Sequence, residues 1–348
     1  MNIKLAIADA DLEYVERLMN VLEGYEGVSL SVYTERKAFE YALSTKRFDV
    51  VLFSPTVYEG QVSLGKSTLG ILLLDESMMI PENCQTYKKI KKYQKISRMY
   101  QQILSLYSEI SQGVGDVLGQ GSVRTVAFYS PIGGAGKTTL ALASATKFAQ
   151  HGYRTFYLNL EDMASEECYL PQTGEKGLSE IVAHLGDNIN LSMKIQGLLQ
   201  TKINGLFYLN HFDSPNDIHD ISEQEITELI DELKKSALFD VIVVDLGCAL
   251  NEKTKSVFEA ADKVVLVEKT DGISLSKMQL FFRQMHIINE FSDKMVRVMN
   301  FDIGRASVMP TNIQIIGKIS VAQNPDAAQL ISVIADDQNS NFILQLVG

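Results

Sequence analysis

Residues 129–141, YSPIGGAGKTTLA, constrain the fold of this chain more than any other stretch of its sequence. The preceding segment VRTVAFYS has the apolar pattern of a β-strand, and the following segment TTLALASATKFAQHG has apolar residues at helical spacing and ends at Gly152. A strand, a glycine-rich turn and a helix in this order predict a parallel α/β sheet with an anion-binding site at the start of the helix. The turn departs from the phosphate-loop consensus GxxxxGK(S/T), because Pro131 replaces the first glycine.

A second stretch, GQVSLGKSTLG at residues 60–70, matches that consensus in every letter, including Lys66 and Ser67. A phosphate loop needs a helix behind it, because the helix supplies both the backbone N–H groups and the dipole that attract the anion. Here Gly70 interrupts any helix, and the apolar run after Ser67 is typical of a strand. We therefore interpret this match as accidental and assign it to a surface connection.

Length and composition limit the class of protein. A chain of 348 residues is long enough for two domains. No apolar run reaches the roughly 18 residues of a membrane span, and the N-terminus lacks the layout of a signal peptide, so we expect a cytoplasmic protein. The formal net charge of −11 works against nonspecific DNA binding, which depends on lysine and arginine, and we expect no specific nucleic-acid partner. We interpret the three dispersed cysteines, Cys84, Cys168 and Cys248, as buried thiols in a reducing compartment.

The first part of the chain alternates strand and helix patterns, in the order IKLAIAD, ADLEYVERLMNVLEGYEG, VSLSVY, TERKAFEYALSTKRF and DVVLFSP. Alternation of this kind predicts a doubly wound parallel sheet. The later stretch GVGDVLGQGS has the glycine content of a flexible linker. We therefore expect an α/β domain at residues 1–112, a linker at residues 113–122 and a second α/β domain at residues 123–348.

Ahead of the linker, apolar residues recur at steps of three and four, the spacing of a packed helix: Tyr93, Ile96, Tyr100, Ile103, Tyr107 and Ile110. They form either the core of the first domain or an intermolecular contact. Basic residues crowd the start of the same segment: Lys88, Lys89, Lys91, Lys92, Lys95 and Arg98. This basic cluster is either a solvated face or a surface for an acidic partner or anionic lipid.

The stretches LAIADADLEYVERL and RFDVVLFSP resemble a response-regulator receiver domain, a flavodoxin-like fold, over about the first 110 residues. The resemblance implies a nucleophilic carboxylate where this chain has Ser54, an acidic cluster that is reduced here to Asp9 and Asp11, and a lysine-proline pair that is here Lys92-Tyr93. Phosphoryl transfer needs a suitable nucleophile and a cation to neutralise charge around the phosphorus. We therefore expect a pseudo-receiver that does not accept phosphate.

Beyond residue 123 several motifs follow the glycine loop in order: FYLNLED, LFDVIVVDLG, ADKVVLVEKTDGISLSKM and IIGKISVAQNPDAAQL. Together they resemble the MinD/ParA family of P-loop ATPases over about residues 123–335, and the preceding degenerate receiver makes the chain similar to the TadZ/CpaE group of that family. This group positions and helps assemble type IV (Flp/Tad) pilus machinery. The resemblance implies ATP and Mg²⁺ as cofactors, an ATP-dependent homodimer, pilus-assembly or polar landmark proteins as partners, and a cytoplasmic location at the cell pole or the inner membrane face through those partners.

The predicted nucleotide-binding residues lie in the glycine loop and the first helical turn: Gly133, Gly134, Ala135, Gly136, Lys137, Thr138 and Thr139. Lys137 can neutralise the charge of the β- and γ-phosphates, and Thr138 can offer its hydroxyl to Mg²⁺. Asp245 ends the apolar strand DVIVVD, at the sheet edge where such folds bind ligands, and can hold the same cation. The alternative for Asp245 is a cap of the next turn.

Two further assignments depend on the resemblance and stay open. Glu161 stands where the family has a water-orienting aspartate, with Asn159 replacing the aspartate before it, and the alternative is a solvated loop acid. Asn300 stands where the family has an adenine-reading asparagine, and the alternative is an exposed turn residue. Gln323 is a weaker candidate for contact with the base.

Ile132 occupies the loop position at which the family has a signature lysine that reaches the partner's phosphates across the dimer. Isoleucine cannot supply charge to the transition state, so we expect nucleotide binding with slow hydrolysis. A dimerising ATP-binding protein with weak ATPase activity is the leading interpretation. A nucleotide-locked scaffold and a ParA-like partitioning or signalling protein are the alternatives. The C-terminal segment ISVIADDQNSNFILQLVG lacks the positive charge of a membrane-binding amphipathic helix, so we expect no direct anchoring there.

Overall fold

A computed structural model of the chain describes residues 3–25, 27–57, 64, 68–75, 80, 84–111, 122–171, 176–203, 205–302, 312–320 and 326–348. The chain divides into two compact units. Unit 1 comprises residues 1–116 together with 186–198, and unit 2 comprises residues 117–185 together with 199–348. Each unit is built on its own largely parallel sheet, and helices connect many of the successive strands, so the predicted α/β class is confirmed.

The first elements in chain order are β1 (Ile3–Ala8), α1 (Leu12–Leu22), β2 (Val28–Tyr33), α2 (Arg36–Thr45), β3 (Val50–Phe53), β4 (Leu69–Leu74), β5 (Lys88–Lys91) and α3 (Ile96–Ser108). The strands pair in the order β2-β1-β3-β4-β5, and all of these pairs are parallel. The predicted doubly wound parallel sheet is therefore confirmed. β4 also confirms the strand expected after the second glycine stretch, whereas Lys66, Ser67 and residues 113–121 of the expected linker lie outside the described residues.

The remaining elements are β6 (Arg124–Tyr129), α4 (Lys137–Gln150), β7 (Thr155–Leu160), α5 (Leu178–Val182), α6 (Leu191–Leu198), β8 (Gln200–Ile203), β9 (Leu206–Tyr208), α7 (Pro215–Asp220), α8 (Glu223–Lys235), β10 (Val241–Leu246), α9 (Glu252–Ala260), β11 (Lys263–Glu268), α10 (Gly272–Phe282), α11 (Met285–Phe291), β12 (Met295–Asp302), β13 (Ile315–Ser320) and α12 (Ala327–Asp336). Short 3₁₀ segments occur at Glu166–Cys168 and Gln338–Leu346. No helix in the described part of the chain is long and apolar enough to cross a membrane.

The sheet of unit 2 has the strand order β13-β12-β11-β6-β10-β7-β9-β8. Its strand pairs are parallel except for the edge pair of β8 and β9. The central strands are buried along their length, which explains why they read as continuous apolar runs rather than as alternating patterns. Because the paired strands from β13 to β9 run in the same direction, the loops after β6, β7, β10, β11 and β12 meet at one edge of the sheet.

The core of unit 1 includes the middle of α3. Tyr100, Ile103 and Tyr107 are buried in one apolar cluster with residues of the sheet and α1. The core interpretation of the periodic residues therefore holds at these central positions. Tyr93 and Ile110, at the two ends of the pattern, are 63% and 38% exposed and lie outside this cluster.

Helix α6 lies in the stretch that belongs to unit 1, although its sequence falls in the middle of the second predicted domain. It packs against α3, and its Met193 joins the core cluster of unit 1. The two helices approach closely at Gly197, where a Cβ atom would lie 2.6 Å from the backbone nitrogen of Ser105. A residue larger than glycine would force these helices apart.

The positions that matter in a receiver domain are occupied by a buried ion pair. Lys92 and Asp9 are 4% and 0% exposed, and their Nζ and Oδ2 atoms are 2.9 Å apart. Nζ is also 3.5 Å from Oδ2 of Asp11 and lies 4.6 Å from the ring centroid of Tyr14. Burial by itself lowers the pKa of Lys92, but the hydrogen bond and the charge of Asp9 raise it overall. One ammonium group therefore already occupies the place beside both carboxylates and offsets the charge of Asp9.

Ser54, at the position of the receiver nucleophile, is also poorly placed for phosphorylation. Ser54 is buried, and its hydroxyl oxygen accepts a hydrogen bond from the Thr56 hydroxyl at 2.9 Å. Lys92 is buried and so does not belong to the exposed basic cluster that the sequence predicted. Lys88, Lys89, Lys91, Lys95 and Arg98 are exposed.

Incubation with acetyl phosphate is expected to leave unit 1 unmodified. Ser54 is buried and has no basic partner among the described contacts, and a divalent cation would have to displace the ammonium of Lys92 from Asp9. Intact-mass spectrometry before and after incubation with Mg²⁺ and acetyl phosphate measures the result. An acid-labile gain of one phosphate that maps to residues 1–112 would contradict it and would favour a signalling function.

Candidate functional site

The predicted glycine loop joins β6 to α4 and has the backbone that phosphate binding requires. Gly134 and Gly136 have φ angles of +66° and +85°, in the left-handed region that favours glycine, and Gly136 is the N-cap of α4. A Cβ atom at Gly133 or Gly134 would meet nothing within 4 Å, so the loop backbone is open on that side. The helix that the sequence predicted is present, with Leu140, Ala143, Ala145 and Phe148 buried. The loop amides and the helix dipole therefore face a space that an anion can enter.

The functional groups of Lys137 and Thr138 are both held by Glu161, which follows the end of β7. Nζ of Lys137 lies 3.7 Å from Oε1 of Glu161, and Oγ1 of Thr138 donates a hydrogen bond of 3.0 Å to Oε2. The backbone N–H of Glu161 donates to Oδ1 of Asn159 at 2.9 Å, and this local turn positions the acid. Glu161 is 18% exposed in its side chain and contacts the loop, so the alternative of a solvated loop acid is wrong for this structure.

Lys137 has a second neighbour that the sequence did not suggest. Its side chain is 5% exposed, and Nζ donates to Sγ of Cys248 at 3.2 Å. Cys248 lies in the loop after β10, and both Cys248 and Cys168 are exposed residues. The prediction of buried thiols is therefore confirmed for Cys84 alone and is wrong for the other two. Cys248 is close in sequence to Asp245, and this proximity was the available signal.

Asp245 lies at the end of β10 and is fully buried. Its Oδ2 accepts a hydrogen bond of 2.9 Å from the hydroxyl of Tyr157 on β7, while its Oδ1 accepts none in the described part of the chain. Burial raises the pKa of Asp245, and the charge of the nearby Glu161 raises it further. A buried carboxylate with a free oxygen, beside a second carboxylate and a threonine hydroxyl, suits a hard divalent cation such as Mg²⁺.

Asn300, on β12, contacts the loop from its other side. Its Nδ2 donates to the carbonyl oxygen of Ala135 at 2.8 Å, and the residue is 6% exposed. The alternative of an exposed turn asparagine is therefore wrong. A Cβ atom at Gly136 would lie 2.2 Å from Nδ2 of Asn300, so only glycine fits at this loop position. Gln323 lies outside the described residues.

Ile132 is buried, at 4% exposure, and its backbone N–H donates to Oγ of Ser130 at 3.2 Å. Between Ser130 and Thr138, Lys137 is therefore the loop's only cation. The structure brings together Lys137, Thr138, Glu161 and Asp245 at one edge of the sheet. It places Thr139 on the first turn of α4 as well.

Comparisons with known proteins agree with this geometry. Residues 126–341 match the family model of the CobQ/CobB/MinD/ParA nucleotide binding domain, and residues 1–108 match that of the TadZ-like receiver domain. No curated protein matches the chain.

Among solved structures, the chain is similar to a ParA family ATPase from Chlorobium tepidum, with 17% identity, a TM-score of 0.51, and coverage of 64% of this chain and 98% of that one. It is also similar to the septum site-determining protein MinD complexed with Mg-ADP from Pyrococcus horikoshii, with 14% identity, a TM-score of 0.50, and coverage of 65% and 94%. At these identities the likeness supports the fold of unit 2.

Replacing Asp245 by asparagine is expected to raise the melting temperature of the ligand-free protein more at pH 8 than at pH 5. The pKa of Asp245 is raised above its usual 3.8, so the folded protein holds a proton that the unfolded chain has released. The free energy of unfolding contributed by Asp245 therefore falls as the pH rises from 3.8 through the higher pKa of the folded state. Asparagine does not titrate, so the variant lacks this loss of stability.

Thermal unfolding followed by circular dichroism at the two pH values measures this difference. Asp231→Asn is the matched control, because Asp231 is an exposed aspartate on α8. An equal gain for Asp245→Asn at pH 5 and pH 8 would contradict the assignment of a raised pKa to this carboxyl.

Proposed function

This chain belongs to the CobQ/CobB/MinD/ParA nucleotide-binding family, and we propose that it is an ATP-binding, dimerising protein with weak ATPase activity. We further propose that it localises or assembles type IV (Flp/Tad) pilus machinery, from the cytoplasm and through pilus-assembly or polar landmark partners. The observation that carries the first proposal is the convergence of Lys137, Thr138 and Asp245 around an open glycine loop. The second is supported by the match of residues 1–108 to a TadZ-like receiver domain.

Glu161 is the residue that nucleotide binding must move. Its carboxylate accepts the hydrogen bond of Thr138 and lies beside the ammonium of Lys137. A bound triphosphate would replace Glu161 as the partner of Lys137, because phosphate oxygens carry more charge and can also accept hydrogen bonds from the loop amides. The released carboxylate would then be close to the terminal phosphate, where it can orient a water molecule for attack.

Thr138 and Asp245 are the residues proposed to hold Mg²⁺. This cation, when bound, supplies charge that stabilises the phosphoryl group in transfer. Asp245 would lose its proton on binding the cation, since its pKa is raised by burial and by the charge of Glu161, and a bound cation would offset both effects. Tyr157 would keep the carboxylate oriented through its hydrogen bond to Oδ2.

Dimerisation is supported by apolar side chains at the same edge of unit 2. Met163, two residues after Glu161, is 78% exposed, and Ile273, at the start of α10, is 75% exposed. Met163 follows β7 and Ile273 follows β11, so both lie at the sheet edge that carries the site. Exposed apolar side chains beside a ligand site are typical of a surface that another protein covers.

Weak hydrolysis follows from the missing second cation. Lys137 is the only positive charge in the loop, and the buried Ile132 cannot stabilise charge on a partner's phosphates. The same observation favours the second candidate function, a scaffold that keeps its nucleotide and does not hydrolyse it. The measured turnover distinguishes the two.

Changing Lys137 to alanine is expected to abolish ATP binding, because the phosphates lose the only cation of the loop. Changing Lys66 to alanine is expected to leave binding intact, since we interpret the second glycine stretch as accidental. Isothermal titration calorimetry of both variants with ATP and Mg²⁺ measures the result. Loss of binding in the Lys66 variant with retention in the Lys137 variant would show that residues 60–67, and not residues 131–138, bind the nucleotide.

Changing Ile132 to lysine is expected to raise ATP turnover on the order of 10-fold, with little change in ATP affinity, because charge that acts on the transition state raises kcat. A larger gain is not expected, since Ile132 is buried and a lysine must leave that position to reach a phosphate. Steady-state phosphate release measures turnover, and light scattering measures the dimer.

The matched control is Ile132→Met, which has a similarly flexible, unbranched side chain without charge. Equal turnover in the lysine and methionine variants, with ATP binding and dimerisation retained, would favour the scaffold. A wild-type protein that stays monomeric with ATP bound would remove the dimer from the proposal.

A further inference from the structure

Phe301, next to Asn300 on β12, has an unusual backbone conformation beside the phosphate loop. Its φ angle is +54°, in the left-handed region that bulky side chains rarely adopt. Such a conformation costs free energy and persists only where the surroundings impose it, often at ligand sites. Here the backbone N–H of Phe301 donates to Oδ1 of Asn300 at 3.0 Å, while the amide of Asn300 donates to Ala135. The strained residue is therefore tied to the loop.

The ring of Phe301 borders the loop directly. Its Cε2 atom lies 3.7 Å from the place that a Cβ atom would take at Gly136. The ring is half-buried, so it is neither part of the packed core nor fully solvated. This is the environment of a side chain that can contact both the loop and a ligand on it.

The strand order of unit 2 decides which part of a nucleotide would meet this ring. β10 and β7, which carry Asp245 and Glu161 at their ends, lie on one side of β6, and β11 and β12 lie on the other side. The terminal phosphates and their cation belong on the side of the carboxylates. The ribose and the base then extend across the loop towards β12, where Phe301 lies.

The other group over the ring is Lys269, whose Nζ lies 5.4 Å from the ring centroid. The same ammonium is 3.9 Å from Oδ2 of Asp271, and the lysine side chain is 30% exposed. A partly solvated ion pair at this distance contributes little to stability. A base that approaches the ring can therefore displace Lys269 at low cost.

We propose that Phe301 is the stacking platform for the base of the bound nucleotide, a role that rests on the proposed ATP-binding function. Aromatic side chains bind the flat faces of bases, and the interaction does not depend on the hydrogen-bonding edge of the base. The ring supplies affinity for the base that the loop, which contacts only phosphates, cannot supply. Purine nucleotides are the preferred class, because they offer the larger flat surface.

The test separates the base from the phosphates. The full-length protein is titrated by isothermal titration calorimetry with ATP and with inorganic tripolyphosphate, each with Mg²⁺. Phe301→Ala and Phe301→Leu are expected to weaken ATP binding roughly 5- to 100-fold, which is the usual effect of losing one stacked base. Both variants are expected to bind tripolyphosphate within about 2-fold of wild type, and Phe301→Tyr is expected to bind ATP as wild type does.

Leucine keeps most of the volume of the side chain but lacks an aromatic face. Phe301→Leu therefore tests the proposal even if Phe301→Ala does not fold. Wild-type ATP affinity in Phe301→Leu would overturn the proposal, because bulk alone would then suffice. An equal loss of ATP and tripolyphosphate binding would also overturn it, since Phe301 would then only support the loop. A wild-type protein that binds neither ligand would instead refute the proposed function itself.

Discussion

The packing of Asn300 against the backbone of Ala135 and Gly136 is the contact on which the candidate site depends. It holds the glycine loop, which follows β6, against the end of β12, two strands away. Only glycine fits at position 136, because φ there is left-handed and a Cβ atom would collide with Asn300. The conformation of the loop and the position of the end of β12 therefore depend on each other. With this side of the loop fixed, Lys137 and Thr138 lie near Glu161, which follows β7, and Asp245, at the end of β10. The contact of Asn300 with the loop therefore positions the residues of the site relative to the sheet.

Sequence patterns predicted the parts of the fold that depend on local order. The alternation of strands and helices in residues 3–53 predicted each of the first five elements, and the context of the two glycine stretches predicted a strand after residues 60–67 and a helix after residues 131–136. The sequence pattern did not predict that helix α6 belongs to unit 1. Its membership of unit 1 depends on close packing at Gly197 against α3, and a sequence does not show which distant segment a glycine will meet.

The sequence predicted that Asp245 and Asn300 lie at the carboxyl ends of strands, and this position places them near the glycine loop. The candidate site was not predictable where side chains from different loops choose partners. Cys248 beside Lys137 and Tyr157 beside Asp245 are contacts of this second kind. Lys92 is a further example. A cluster of lysines in a sequence predicts a solvated surface, yet Lys92 is buried. It pairs with Asp9, which is 83 residues away in the sequence.

The assignment of residues 186–198 to unit 1 means that the backbone passes between the two units three times, after residues 116, 185 and 198. A cut in the glycine-rich stretch near residue 113 would therefore not yield a complete first unit, because α3 would lose the helix that covers it. The receiver-like unit is consequently built from two separate segments of the chain, and it could not be replaced by exchanging the N-terminal segment alone. The connection between β7 and β8 of the second unit therefore also supplies part of the packing of the first.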